Sequence, residues 1–531
     1  MSAEPETLST AAELTSLAEL ARKFSLPLVA AVADEMLAPD LAADLPVEWA
    51  RSHLMLPIRQ AGRPALLLND PADLSARKHL ELLLNQELPP VLASKAVIMN
   101  AIERGFFNRS DTASEFLRDL DQRAPAPDKA ARGSDDLLQV AEHAPITQLI
   151  NLILLEAIKA NASDIHVEPF QERLRVRFRI DGMLYEQTSP PKHLESALVS
   201  RLKVMARMDI AEKRLPQDGV ARVRVGEREI DIRVSTVPVA EGERVVLRLL
   251  NRNTTVLPLA ALGLAPAMLT ALERVLQEPN GIMIVSGPTG SGKTTTLYAA
   301  LQQLNKSRAN ILTIEDPIEY QIPDIGQMQV KPKIGLTFAS GLRHILRQDP
   351  DTILVGEIRD LETAAIAVRA SLTGHLVFTT LHTNDAPSAV IRMIDMGVEP
   401  YLLASCLRAV LAQRLLRKLC EKCRKPTTLA ASELAALPEA YRRKPPQSIY
   451  APQGCPACLE GYKGRTGLFE LMVVTPELAD AICAAQPNLP TLRTLSVRGG
   501  MTTLLEDGLA KLSQGLTSFT ELLRTIPQPA C

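Results

Sequence analysis

Aromatic residues are scarce: one Trp, and 3% Phe, Trp and Tyr together across 531 residues, too few for a surface on which bases stack. Excess basic charge is missing as well, because 59 Lys and Arg face 61 Asp and Glu for a net charge of −2. No global pull toward nucleic acid results, and only a local basic patch is left as a route to it. No run of about 20 apolar residues occurs, which excludes a spanning helix. The N-terminus, MSAEPETLSTAAEL, lacks the basic stretch and apolar core of an export signal, so the expected compartment is the cytosol. Cysteine is limited to seven residues. Four of them form two CxxC pairs, which in a reducing compartment point to metal rather than disulfides. Cys406, Cys483 and Cys531 stand apart from these pairs.

What is present is ordinary bulk, 46% hydrophobic and 23% charged, enough for roughly three or four domains of about 100 to 200 residues each. Residues 1 to about 120 mix helical patterns with short extended runs such as PALLLND and PPVLAS, the pattern of a small α/β module. From 121 to 136 the text DQRAPAPDKAARGSDD has Pro, Gly and charge but no apolar period, as expected of a linker. Ile146, Leu149, Ile150, Ile153 and Leu154 then repeat as one face of a helix. Leu174, Val176, Phe178 and Ile180 alternate with Arg173, Arg175, Arg177 and Arg179 before Asp181-Gly182, a strand with one core face and one cationic face. Val223 and Val225, then Ile230, Ile232 and Val234, flank Gly226-Glu227 as a hairpin. An α+β domain over 137–255 is therefore expected. Beyond 256, the runs IMIVSG, ILTIED, TILVGE and HLVFTT alternate with helical stretches, which predicts a mainly parallel, helix-covered sheet through 531. A polar insert over 418–468 interrupts it.

Chemistry concentrates in that last domain. Gly287, Pro288, Thr289, Gly290, Ser291, Gly292, Lys293 and Thr294 complete GxxxxGK[ST] between an apolar strand and a helix, the context a phosphate loop requires. Glycine lets successive N–H groups curl around phosphate while the helix N-terminus adds positive dipole. Lys293 would reach the β- and γ-phosphates, and Thr294 would ligate Mg²⁺. Glu357 ends the strand ILVGE, where a carboxylate serves the metal side of the phosphates. Glu315, in TIEDPIEY, is placed to polarise a water, but an acidic strand end is as readily a solvated loop. His375 and His382 bracket LVFTTL, one at each end, which argues against joint metal chelation. His382, with Thr383-Asn384-Asp385 after it, fits either a γ-phosphate sensor or a structural His. Cys420, Cys423, Cys455 and Cys458 form C-x2-C-x31-C-x2-C. Four soft ligands suit closed tetrahedral Zn²⁺. The competing redox reading would want a strand-to-helix junction rather than a Pro- and charge-rich insert.

In order and spacing, GPTGSGKTTTLYAAL, TIEDPIEY, ILVGEIRD and GHLVFTTLHTND resemble the secretion and type IV pilus ATPase family. The likeness extends through SDIHVEP, RLPQDG, GERVVLRLL and AQRLLRKLCEKC, about residues 140 to 531. It implies a RecA-like P-loop core preceded by a PAS-like α+β domain and the N-terminal module, with a tetracysteine zinc insert. It further implies Glu315 as the water-activating base, Glu357 as the metal-side carboxylate and His382 as the γ-phosphate sensor, with ATP, Mg²⁺ and structural Zn²⁺ as cofactors. Members of this family work as homohexameric rings in which an arginine-bearing domain packs over a nucleotide of its own or a neighbouring subunit. Such an arginine is worth ~10³ to 10⁵ in rate, and Arg214, Arg228 and Arg233 are the candidates. Tetracysteine inserts are typical of the export and pilus-extension branch. Partners implied are the cytoplasmic domain of an inner-membrane platform protein, docked on 1–120, and the polytopic platform protein, so that membrane contact is indirect and peripheral. The corresponding N-terminal helical region, LTSLAELARKFSLPL, departs from the Arg-Leu-Gly run that introduces a cyclic-dinucleotide site in some members. The function expected is type II secretion, with pilus extension as the alternative and a nucleic-acid motor behind both.

Overall fold

The computed structural model describes residues 17–38, 40–42, 45, 47–107, 113–120, 145–225, 228–251, 257–304, 309–442, 448–484 and 486–526. The expected linker 121–136, the Gly226-Glu227 turn, Cys531 and the side chain of Arg228 lie outside them. The chain forms two compact units, 1–253 and 254–531. Among the described residues no helix is long and apolar enough to cross a membrane.

In the first unit, Met55–Gln60 pairs antiparallel with Arg63–Leu68, which pairs parallel with Pro90–Leu92. Helices Leu74–Leu83 and Lys95–Phe107 accompany this small sheet. A second sheet has six antiparallel strands, in the order 183–188, 174–180, 164–169, 242–251, 228–239, 217–225. The strand Leu174–Ile180 buries every second residue, so its apolar set faces the core and its arginines face outward. Helix Pro145–Lys159 buries Leu149 through Leu155 without a break, wider than the single face its periodicity suggests. One side of it receives a further helix, Ala113–Leu120, whose first N–H donates to Glu156 at 2.8 Å. That helix falls inside the range expected for the N-terminal module but packs on the six-stranded domain.

The second unit is built on seven strands in the order 326–329, 311–315, 352–355, 376–381, 281–286, 407–419, 462–473. The first six run parallel and the last is antiparallel. Strands covered on both faces read as continuous apolar runs. Ile282, Ile284, Ile353, Val355 and Val377 enter one core with the helices Leu361–Leu372 and Ala386–Asp395. Met283, Val285, Leu354 and Phe378 enter the other with Pro266–Leu276 and Lys293–Gln303. Side chains of Asp360 and Asp385 cap two of these helices, fixing where the chain turns back after each strand. The strand Tyr462–Val473 begins inside the expected insert, because its first turn of sequence, YKGRTG, hides an alternation that its pairing with Leu407–Leu419 reveals. A small ribbon, Lys425–Thr427 with Ile449–Ala451, lies between the cysteine pairs.

Candidate functional site

Parallel strands deliver their C-terminal ends to one edge of a sheet, and ligands bind there in open α/β folds. At this edge Ser286 leads into the phosphate loop, and the strands 311–315, 352–355 and 376–381 end at or just before Glu315, Glu357 and His382. In the loop, Pro288, Thr289 and Gly290 are exposed, whereas Gly287 and Ser291 are buried. Gly287, Gly290 and Gly292 all have positive φ, and Gly292 at +89° immediately precedes the helix that starts at Lys293. That backbone permits the curl that a β-carbon would resist.

Lys293 is 9% exposed. Its Nζ donates to the carbonyls of Gly287 at 2.8 Å and Pro288 at 3.2 Å, and stands 3.5 Å from His382 Nδ1. Burial pulls its pKa down while the Glu357 charge resists. The other ring nitrogen of His382 lies 3.6 Å from Glu357. Lys293, His382 and Glu357 therefore stand in one contiguous line of ammonium, imidazole and carboxylate. Glu357 also pairs with Arg359, two residues on, whose pKa is raised by that hydrogen bond and charge. Thr294 follows Lys293 in the first helical turn and is half-buried. Sequence reasoning did not single out Arg359, although ILVGEIRD contains it.

Glu315 is 3% exposed and enclosed. One oxygen accepts from Tyr298; the other accepts from Thr313 at 2.5 Å and from Gln327 at 3.1 Å. It is thus not part of a solvated acidic loop. His375, at the opposite strand end from His382, has its Nδ1 2.9 Å from the carbonyl of Ala370.

The arginine candidates belong to the first unit. Arg214 is 89% exposed at its side chain, which meets Glu212 at 3.5 Å. Arg233 is half-buried on the strand 228–239, paired in register with Arg248. The cationic strand face is not an open one: Glu168 collects Arg175, Arg177 and Arg244, and Asp164 collects Arg179 and Arg248. Three donors outweigh the burial that would raise the Glu168 carboxyl, and its pKa is lowered.

The four expected cysteines converge, with all four sulfurs within 4.8 Å of one another. Neighbouring Sγ atoms are 3.6, 3.7 and 3.9 Å apart. A Zn–S bond of about 2.3 Å puts tetrahedral corners about 3.8 Å apart, whereas a disulfide needs about 2.05 Å. The donor set fits zinc. The strand Leu407–Leu419 passes the phosphate loop beyond its pair Ser286 and Ala412 and ends next to Cys420, the first of these cysteines.

Residues 139–524 match the model of the Type II/IV secretion system protein family, and residues 24–107 match the MshEN domain. The chain is 53% identical over 392 residues to the Type II secretion system protein E of Aeromonas hydrophila, covering 74% of this chain and 77% of that protein. It is 41% identical over 513 residues to the Type IV pilus assembly ATPase PilB of Myxococcus xanthus, covering 95% of this chain and 89% of that one. The solved ATPase DotB of Legionella pneumophila aligns with a TM-score of 0.53 at 21% identity, over 75% of this chain and 96% of that chain, a likeness of fold alone. A complete phosphate loop at the edge of a parallel sheet, within a family match that spans both that loop and the cysteine cluster, leads to one conclusion: the chain belongs to the Type II/IV secretion system protein family and is an ATP-hydrolysing secretion ATPase.

Proposed function

We propose that this chain drives growth of a short pilus-like fibre that expels folded proteins in type II secretion. The carrying observation is the chain Lys293–His382–Glu357 at one sheet edge, in a protein 53% identical to a type II secretion relative. Lys293 would exchange its loop carbonyls for β- and γ-phosphate oxygens. Thr294 and Glu357 would hold Mg²⁺, which supplies charge neutralisation for the phosphates. His382 would read the γ-phosphate, and Glu315 would orient the attacking water. Cys420, Cys423, Cys455 and Cys458 would hold a structural Zn²⁺.

Phosphoryl transfer further needs a cation on the γ-phosphate. Arg214, Arg228 and Arg233 would supply it in a homohexameric ring, because a closed heterologous interface brings one subunit's arginines to another's nucleotide. In this reading the protein is cytoplasmic, residues 1–120 dock the cytoplasmic domain of an inner-membrane platform protein, 137–255 carries the arginines and 256–531 hydrolyses ATP. The 41% identity to a type IV pilus assembly ATPase, over 95% of the chain, supports pilus extension as the second reading. Expression in two bacterial strains, one lacking its type II secretion ATPase and one lacking its pilus assembly ATPase, separates them. Restored export without restored piliation is expected; the reverse would replace the first reading by the second.

A further inference from the structure

We propose that Gln413 is a positioning residue for nucleotide: its side-chain amide holds the phosphate loop in the shape that turns N–H groups toward phosphate. The proposal rests on the phosphate-site reading of Lys293 and its loop. A loop that directs its N–H groups into a concavity turns carbonyls outward, and those pressed against protein lose water and need donors. The backbone ladder between the strands 281–286 and 407–419 ends at the pair Ser286 and Ala412. One residue further, the ladder can no longer serve the loop, and a side chain takes over. Gln413 Nε2 donates to the carbonyl of Ser291 at 2.7 Å.

Its surroundings make this bond specific. Gln413 is 2% exposed, and neither its Oε1 nor the Ser291 hydroxyl has a hydrogen-bond partner among the described residues. A leucine at this strand position would avoid that desolvation cost, so packing alone does not account for a glutamine. The loop also has no slack against it. A β-carbon on Gly287 would stand 2.3 Å from the Gln413 carbonyl and 2.7 Å from the Ser291 hydroxyl, and one on Gly292 would stand 3.2 Å from Gln413 Nε2. Both ends of the loop are therefore fitted to the same residue. The next residue on the strand, Arg414, donates to Asn384 at 3.0 Å, two positions after His382.

The test measures ATP and ADP affinity by titration calorimetry on the full chain with Mg²⁺. Gln413→Met keeps the volume and removes the donor. It should weaken both nucleotides about tenfold, the size of one hydrogen bond, with kcat at saturating ATP changed by less than about threefold. Gln413→Glu sets a carboxylate against the Ser291 carbonyl and should weaken binding more than Gln413→Met does. Amide exchange in the nucleotide-free chain gives a second readout: residues 287–292 should exchange faster in Gln413→Met while the strands 352–355 and 376–381 do not. Binding within about twofold of wild type in both variants, or faster exchange spread evenly through the sheet, overturns the proposal. Lys293→Ala is the control for the underlying reading. If it binds nucleotide as wild type does, the phosphate site itself has been misread, whatever the Gln413 variants do.

Discussion

Replacing Lys293 by Ala tests the site at the group that carries most of its charge. The Nζ now donates to two loop carbonyls, at 2.8 and 3.2 Å, and the proposed reaction would hand those bonds to two phosphate oxygens. Hydrogen bonds to charged groups contribute about 1.5 to 3 kcal/mol each. Two of them give about 3 to 6 kcal/mol, or roughly 10² to 10⁴ in kcat/KM. The fold should lose little, because the position opens a helix, Ala is a good helix former, and deleting the buried ammonium removes its desolvation cost together with its two loop bonds. Steady-state phosphate release against ATP concentration, with thermal unfolding and sedimentation alongside, separates the two effects. Lys293→Arg keeps the charge but puts a planar fork where one nitrogen serves two carbonyls, and should recover only part of the activity. More than a tenth of wild-type kcat/KM in Lys293→Ala, at unchanged assembly state, would refute the assignment.

Glu357→Gln should lower kcat more than it weakens nucleotide binding, and should shift the Mg²⁺ concentration that gives half-maximal activity upward; equal losses of binding and turnover would count against a metal-side role. Metal analysis should find about one zinc per chain, and chelation should expose all four insert cysteines to a thiol reagent before ATP binding fails; a metal-free, folded protein with Cys420 bonded to Cys423 would instead make the insert a redox element. Arg417→Met should cost about 3 to 5 kcal/mol, because it strips the buried Glu521 of the two guanidinium bonds at 3.0 and 2.9 Å and leaves it the Arg417 backbone N–H at 3.1 Å and Arg524. Burial would raise the Glu521 carboxyl, but hydrogen bonds from Arg524 and Arg417 outweigh it and its pKa is lowered. Its contribution is therefore present above the unfolded value of 4.5 and lost as pH falls through the lower folded value. Acid unfolding should begin at higher pH in Arg417→Met, and an unchanged midpoint would show that Arg524 alone suffices.

Much of this site is legible in the sequence for a physical reason. A parallel sheet buried on both faces writes each strand as an unbroken apolar run, so the first charged residue after the run marks the edge where ligands bind. Glu315, Glu357 and His382 each stand at such an exit, and their convergence follows from the strands being parallel. The cysteines are legible because two knuckles need only local spacing, and the sheet then brings the pairs together by returning at Tyr462. Gln413 is illegible: a polar residue within an apolar strand reads as noise until the loop behind it is in place. The charge matching on the arginine strand is hidden for another reason. Arg175, Arg177 and Arg179 look like a bare cationic face because Glu168 and Asp164 lie on a neighbouring strand, and Arg244 and Arg248 about 80 residues further on.

The enclosure of Glu315 raises the question whether a residue so fully engaged has any capacity left for a water. An ionised carboxylate offers about four acceptor sites, and Tyr298, Thr313 and Gln327 occupy three. Those donors are not interchangeable with water. Burial and the Glu315 charge push the Tyr298 hydroxyl well above its ordinary pKa, and burial with the same charge takes its edge-on neighbour Tyr320 up to about 12. Tyr298 therefore keeps its proton at any working pH and remains a donor, Gln327 has no other state, and Thr313 bonds from only two residues away on the same strand. With three sites taken, one acceptor position is left on the oxygen that Tyr298 shares. An exposed carboxylate would take up water in every direction, whereas the base role proposed for Glu315 would leave it a single position at which to accept a proton, the property a base needs if its water is to attack in line with the bond that breaks.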